Sequence, residues 1–76
     1  MVEVLDLRDR GPGCTERPLV IINKKLREGY SELKIIVKHS DAPRVVLEIL
    51  LRKLGYSIKD YEDHGEYYEV YVTKNT

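Results

Sequence analysis

Glu32-Leu33-Lys34-Ile35-Ile36-Val37-Lys38-His39-Ser40-Asp41-Ala42-Pro43-Arg44-Val45-Val46-Leu47-Glu48-Ile49-Leu50-Leu51-Arg52-Lys53-Leu54-Gly55-Tyr56 carries two periodicities back to back. Over 32–38 the period is two. Leu33, Ile35 and Val37 fall on one side, Lys34 and Lys38 on the other, which predicts a strand with one buried face. Ile36 interrupts the polar side, so that face is expected to be partly covered. His39 to Pro43 is a helix-start signal, with Ser40 or Asp41 as cap and Pro43 in the first turn. From about Ala42 to Leu54 the period is helical. Val46, Leu47, Leu50, Leu51 and Leu54 form a broad apolar stripe, and Val45 and Ile49 extend it almost all round. Most of this helix is therefore expected to be buried. Gly55 stops it.

Upstream, the same strand-and-helix alternation appears once more. Val2 to Leu7 alternates as a strand with one buried face. Arg8 to Arg17 holds two Gly and a Pro and reads as a loop. Leu19, Ile22 and Leu26 then form one helical stripe, with Asn23 and Arg27 beside it. Pro18 suits a first helical turn, where its missing N–H has no partner, and Thr15 suits the N-cap. Lys24, Lys25 and Arg27 lie near the C-terminal end, where the macrodipole favours cations, and Gly29 closes the helix. Leu19 to Ile22 also has strand propensity, but the Pro before it and the charged run after it favour a helix.

Downstream come two strands, Tyr56 to Glu62 and Tyr67 to Thr73. Asp63-His64-Gly65-Glu66 connects them, with Gly65 suited to positive φ. Tyr61, Tyr67 and Tyr71 are expected on a wet face, and Lys74 to Thr76 to fray. The order is β-α-β-α-β-β. This predicts an α+β fold: a two-layer sandwich with two helices on one face of a four-stranded mixed sheet, its crossovers right-handed. Residues 1–76 form a single domain, with no repeat or linker.

Composition excludes several classes. The 13 basic and 13 acidic residues balance, so no global field draws in nucleic acid or an anionic membrane. A third of the residues are charged and glutamine is absent, a bias of heat-adapted proteins. The first residues do not read as a secretory leader, and no apolar run approaches the ~20 residues of a membrane helix. One cysteine cannot form an intramolecular disulfide. The expectation is a soluble chain in the reducing cytoplasm.

That cysteine, Cys14, lies in Arg8-Asp9-Arg10-Gly11-Pro12-Gly13-Cys14-Thr15-Glu16-Arg17-Pro18, between a strand and a helix N-terminus. Arg8, Arg10, Arg17 and the helix end would favour its thiolate. Gly11 and Gly13 would leave the backbone open to a partner. A lone cysteine can also pack as a small hydrophobe, but a neighbourhood of Gly and Thr-Glu-Arg argues against burial. His39 and His64 lack metal-ligand spacing with each other or with Cys14, so no metal and no cofactor is expected. The Tyr-rich end could stack bases, but Tyr is also a good strand former and no basic residue is interleaved within Glu66 to Thr73.

The layout resembles the TusA/SirA family of sulfur carriers, whose domains also run β-α-β-α-β-β. Leu5-Asp6-Leu7-Arg8 matches the family's "LDxRG" opening. Cys14 and Pro18 stand near the cysteine and second proline of its Cys-Pro-x-Pro motif. Lys24-Lys25-Leu26 resembles the Lys-rich middle of its first helix, Asp41-Ala42-Pro43 the acidic start of its second, and Leu54-Gly55-Tyr56 its turn into the third strand. The departures are at the motif: Thr15 follows Cys14 where the family has Pro, and Pro18 comes one position late. The resemblance implies that Cys14 carries a persulfide. A protein donor such as a cysteine desulfurase or rhodanese-like protein would supply the sulfur, and a second protein would receive it. Such a chain is a carrier rather than a turnover enzyme. Lys24, Lys25 and Arg27 would dock an acidic partner or RNA, or simply form a solvated helix face. The alternative is a binding module on the same layout, without persulfide chemistry. It would take RNA or protein, as the similar fold of the C-terminal domain of translation initiation factor three takes RNA.

Overall fold

A computed structural model describes residues 2–8 and 16–75. The elements are β1 (Glu3–Asp6), α1 (Pro18–Arg27), β2 (Glu32–Lys38), α2 (Arg44–Lys53), β3 (Tyr56–Asp63) and β4 (Tyr67–Lys74). The strands form one mixed sheet in the order β1-β2-β4-β3. β1 runs parallel to β2, and β4 is antiparallel to both β2 and β3. The fold is the expected two-layer α+β arrangement.

Register explains why one face of the sheet is apolar. Leu5, Ile35, Val70 and Tyr61 line up across all four strands, and Leu33, Val72 and Ile58 make a second row. Onto these rows α1 lays Ile22 and Leu26, and α2 lays Leu47 and Leu51, all in one core cluster. In each helix the two residues are four apart, one turn on the same stripe. Two tyrosines fasten the layers. The Tyr68 hydroxyl donates to the Ala42 carbonyl at 2.5 Å. The Tyr56 hydroxyl lies 2.6 Å from the Tyr30 carbonyl and 3.1 Å from that of Leu26, where α1 ends. Burial pushes the Tyr68 phenol up to about 12, because a phenolate would lose its hydration there.

Two prolines set where the helices begin, and they correct the expected caps. A residue before proline is disfavoured in the α region. Arg17, before Pro18, is accordingly extended (φ −72°, ψ 144°) and takes the cap position of α1, not Thr15. Ala42 precedes Pro43, and α2 starts only at Arg44 with Pro43 as its cap, not Ser40 or Asp41. The N–H groups of Asp41 and Ala42 instead both donate to the Lys38 carbonyl at 3.0 Å, forming a turn.

Three further expectations are overturned. Lys74 and Asn75 are not frayed: β4 includes Lys74, whose N–H donates to the Ser31 carbonyl at 2.9 Å, and the Asn75 N–H donates to the Gly55 carbonyl at 2.7 Å. The flank of α2 is not buried: Val45 is 60% exposed, Ile49 49% and Val46 41%. One sheet covers one stripe of a helix, and among the described residues no second layer lies outside α2. Tyr61 is not on the wet face. A bulge between Ile58 and Asp60 inserts one extra residue into β3, and every side chain beyond it changes face. Tyr61 turns inward and meets Tyr68 at 5.6 Å between ring centroids. Tyr67 and Tyr71 do lie on the open face, in register with Lys38 and Lys34. Gly65, in the β3–β4 turn, takes φ 95° as expected.

Candidate functional site

β1, β2 and β3 are mutually parallel, so their C-terminal ends share one end of the sandwich with the start of both helices. The β3–β4 turn closes there too, with the His39 N–H donating to the Glu66 carbonyl at 3.0 Å. β1 ends at Asp6 and α1 begins at Pro18 at this same end. Cys14, Arg10, Gly11, Gly13 and Thr15 lie outside the described residues.

Arg8 is held firmly on the open-face side. Its Nε and Nη2 donate to Asp6 Oδ1 and Oδ2 at 3.0 and 2.7 Å, and its backbone N–H donates to Oδ1 at 3.0 Å. Its guanidinium also lies 4.8 Å over the Tyr67 ring. These hydrogen bonds hold the Asp6 carboxyl down at about 2 and raise the guanidinium further above its ordinary range. The fork–fork geometry is the strong form of an arginine–carboxylate pair, so much of the Arg8 charge is already answered by Asp6.

On the helix side, Arg17 is exposed at the cap of α1 and Pro18 is buried at its first position. Among the described residues no side-chain hydrogen bond is made at the Arg17 cap, and the first turn of α1 holds no acidic residue. The three cations expected to dock a partner have neighbours of their own. Lys24 pairs with Glu16. Lys25 lies 3.5 Å from Glu3 and over the Tyr30 ring at 5.0 Å. Arg27 donates to Asn23 Oδ1 at 2.7 Å. Exposed pairs of this kind exchange readily, so a partner could compete for them.

The two histidines are separated by the sheet's geometry. His39 Nε2 lies 3.0 Å from Asp63 Oδ1, and its ring packs on Tyr68. The Gly65 N–H and His39 together lower the Asp63 carboxyl. His64 Nε2 lies 3.0 Å from Glu69 Oε2 and 3.6 Å from Glu62 Oε1. Hydrogen bonding from His64 and the charge of Lys34 lower Glu69. Sequence reasoning missed this grouping. Its signal was Glu62-x-His64 before Gly65 and Glu69 after it, but it needs the register to be read. Beside it, Val2, Val4, Lys34, Asp60 and Tyr71 join Glu62 and Glu69 around an open-face depression of about 370 Å³.

No helix among the described residues is long and apolar enough to cross a membrane. No family model, curated protein or solved structure matches the chain.

Proposed function

We propose that the chain is a cytoplasmic sulfur carrier, related in design to the TusA/SirA proteins, that bears sulfane sulfur on Cys14. The observation that carries this reading is the start of α1. Among the described residues its positive end makes no side-chain cap hydrogen bond and has no acid in its first turn, and Cys14 precedes its cap residue, Arg17, by three positions. A helix N-terminus of this kind stabilises an anion and lowers a nearby thiol's pKa.

The transfer balances without an external oxidant. The Cys14 thiolate attacks the terminal sulfur of a persulfide on the donor protein. A bond forms between Cys14 Sγ and that sulfur, the donor's S–S bond breaks, and the donor cysteine leaves as a thiolate with the electron pair. An acceptor thiolate then attacks the sulfur carried on Cys14, which departs as a thiolate in turn. Arg17, exposed beside the helix start, and Arg10 are the cations that would favour the charged form of the thiol, since Arg8 is engaged with Asp6.

Incubation with a persulfide-loaded donor should add the mass of one sulfur to the wild-type chain and none to Cys14→Ser. Equal labelling of the two, or none on either, sinks the proposal. Salt-sensitive RNA binding that survives Cys14→Ser would instead favour the binding module.

A further inference from the structure

Glu62 and Glu69 stand directly opposite each other in β3 and β4. Like charges facing each other across a ladder destabilise a sheet, so this pair favours a cation between its carboxylates. His64 approaches the same place from the turn. Its Nε2 and one oxygen from each glutamate lie within 4.8 Å of one another. The ring stacks on Tyr67 at 4.8 Å and 19°, and the turn beneath it is pinned by the His64 backbone N–H, which donates to the Tyr67 carbonyl at 2.9 Å. Lys34 lies 3.6 Å from Glu69 Oε1, leaving Oε2 for His64.

The geometry points to Glu62, His64 and Glu69 as a binding site for a divalent first-row transition metal ion. One imidazole nitrogen and two carboxylate oxygens are donors that Zn²⁺ and Co²⁺ accept. A tetrahedral ion with bonds of ~2.0–2.2 Å separates its ligands by about 3.3–3.6 Å. The His64–Glu62 distance of 3.6 Å meets this, the His64–Glu69 distance of 3.0 Å needs a small opening, and the two carboxylate oxygens, up to 4.8 Å apart, must draw together by about 1 Å. The Glu62 side chain is two-thirds exposed and has the rotameric freedom to adjust. The ion takes the neutral imidazole, so a proton on His64 leaves to solvent when it binds. Three protein ligands leave at least one position for water. Glu62 and Glu69 also line the open-face depression, which gives such a water, or a small anion replacing it, room to sit. The site is independent of the persulfide reading, since none of its ligands lies between Arg8 and Glu16.

The test separates this site from the thiol, itself a zinc ligand. Chelator-treated Cys14→Ser carrying all 76 residues, titrated with Zn²⁺ by calorimetry, should bind one ion saturably. His64→Gln and Glu69→Gln in the same background should weaken that binding at least about tenfold, with unchanged far-ultraviolet circular dichroism. Glu62→Gln, at the most exposed ligand, serves as the variant least able to disturb folding and should weaken binding in the same direction. Co²⁺ should give a visible ligand-field absorption in Cys14→Ser that disappears in the further His64→Gln variant. Absence of Zn²⁺ binding to Cys14→Ser, or binding there that all three ligand variants retain, overturns the site.

Discussion

Ile35 and Ile36 are consecutive in β2, and they belong to different environments. Ile35 is fully buried against the helices, in a row with Leu5, Val70 and Tyr61. Ile36 is also buried, but its row on the open face holds Asp6, Glu69 and Glu62. The covered face concentrates the apolar burial that drives folding. The open face concentrates ion pairs, a cation–π contact and the histidine–glutamate group. The lesson is a division of labour: one side of the sheet fixes the fold, while the other side and its C-terminal end are free to carry chemistry.

The largest break of that division comes from truncating each isoleucine in turn. Ile35→Ala should cost about 2–5 kcal/mol, because its apolar neighbours can only partly collapse into the cavity. Ile36→Ala should cost clearly less, since water and the long side chains beside it can occupy the space. Urea unfolding of both variants measures the gap. Equal losses would mean that the open face is a second core.

A smaller effect sharpens the account of how the helix layer is tied down. Tyr56→Phe keeps the ring and removes the hydroxyl that reaches the Tyr30 and Leu26 carbonyls. The Leu26 carbonyl retains the Gly29 N–H, so the loss centres on Tyr30. A net cost of about 0.5–1.5 kcal/mol is expected. The variant should also exchange its backbone amides faster around Gly29 to Ser31, where α1 hands over to β2. Unchanged exchange there would show that apolar packing alone anchors that turn.

The covered face was legible in the sequence because alternation is a local signal. Leu33, Ile35 and Val37 announce it without reference to any other strand. Errors arose wherever the outcome depends on a partner. Tyr61 reads as outward until the bulge before Asp60 is known, and a bulge is a property of the β3–β4 pairing. Val45 and Ile49 read as buried because hydrophobicity reports a preference, and among the described residues no layer is present to satisfy it. Thr15, Ser40 and Asp41 are good cap residues that the prolines after them override. The candidate site divides in the same way. Cys14 stands out as a lone residue in a suggestive loop. Glu62, His64 and Glu69 look ordinary until register brings them together.

The smallest effect tests the open face itself, at Asp6 and Arg8. The Asp6 carboxyl titrates at about 2 in the folded chain, against an ordinary 3.8, chiefly because Arg8 donates to it. A carboxyl with a depressed folded pKa favours the folded state once it is ionised. The contribution is complete above the unfolded value and disappears as pH falls through the folded one. Asp63 and Glu69 are lowered as well, so the wild-type melting temperature should fall from about pH 5 toward pH 2. Asp6→Asn removes one of these titrations and should make the fall shallower: its melting temperature should lie slightly below wild type at neutral pH, only slightly because the pair is exposed, and the two should converge toward pH 2. Added salt should weaken the wild-type pair and narrow the difference between the two proteins. Parallel curves for wild type and Asp6→Asn across this range would show that Arg8 is held by the Tyr67 ring rather than by the carboxylate. The open face would then resemble the covered one in relying on contact more than on charge.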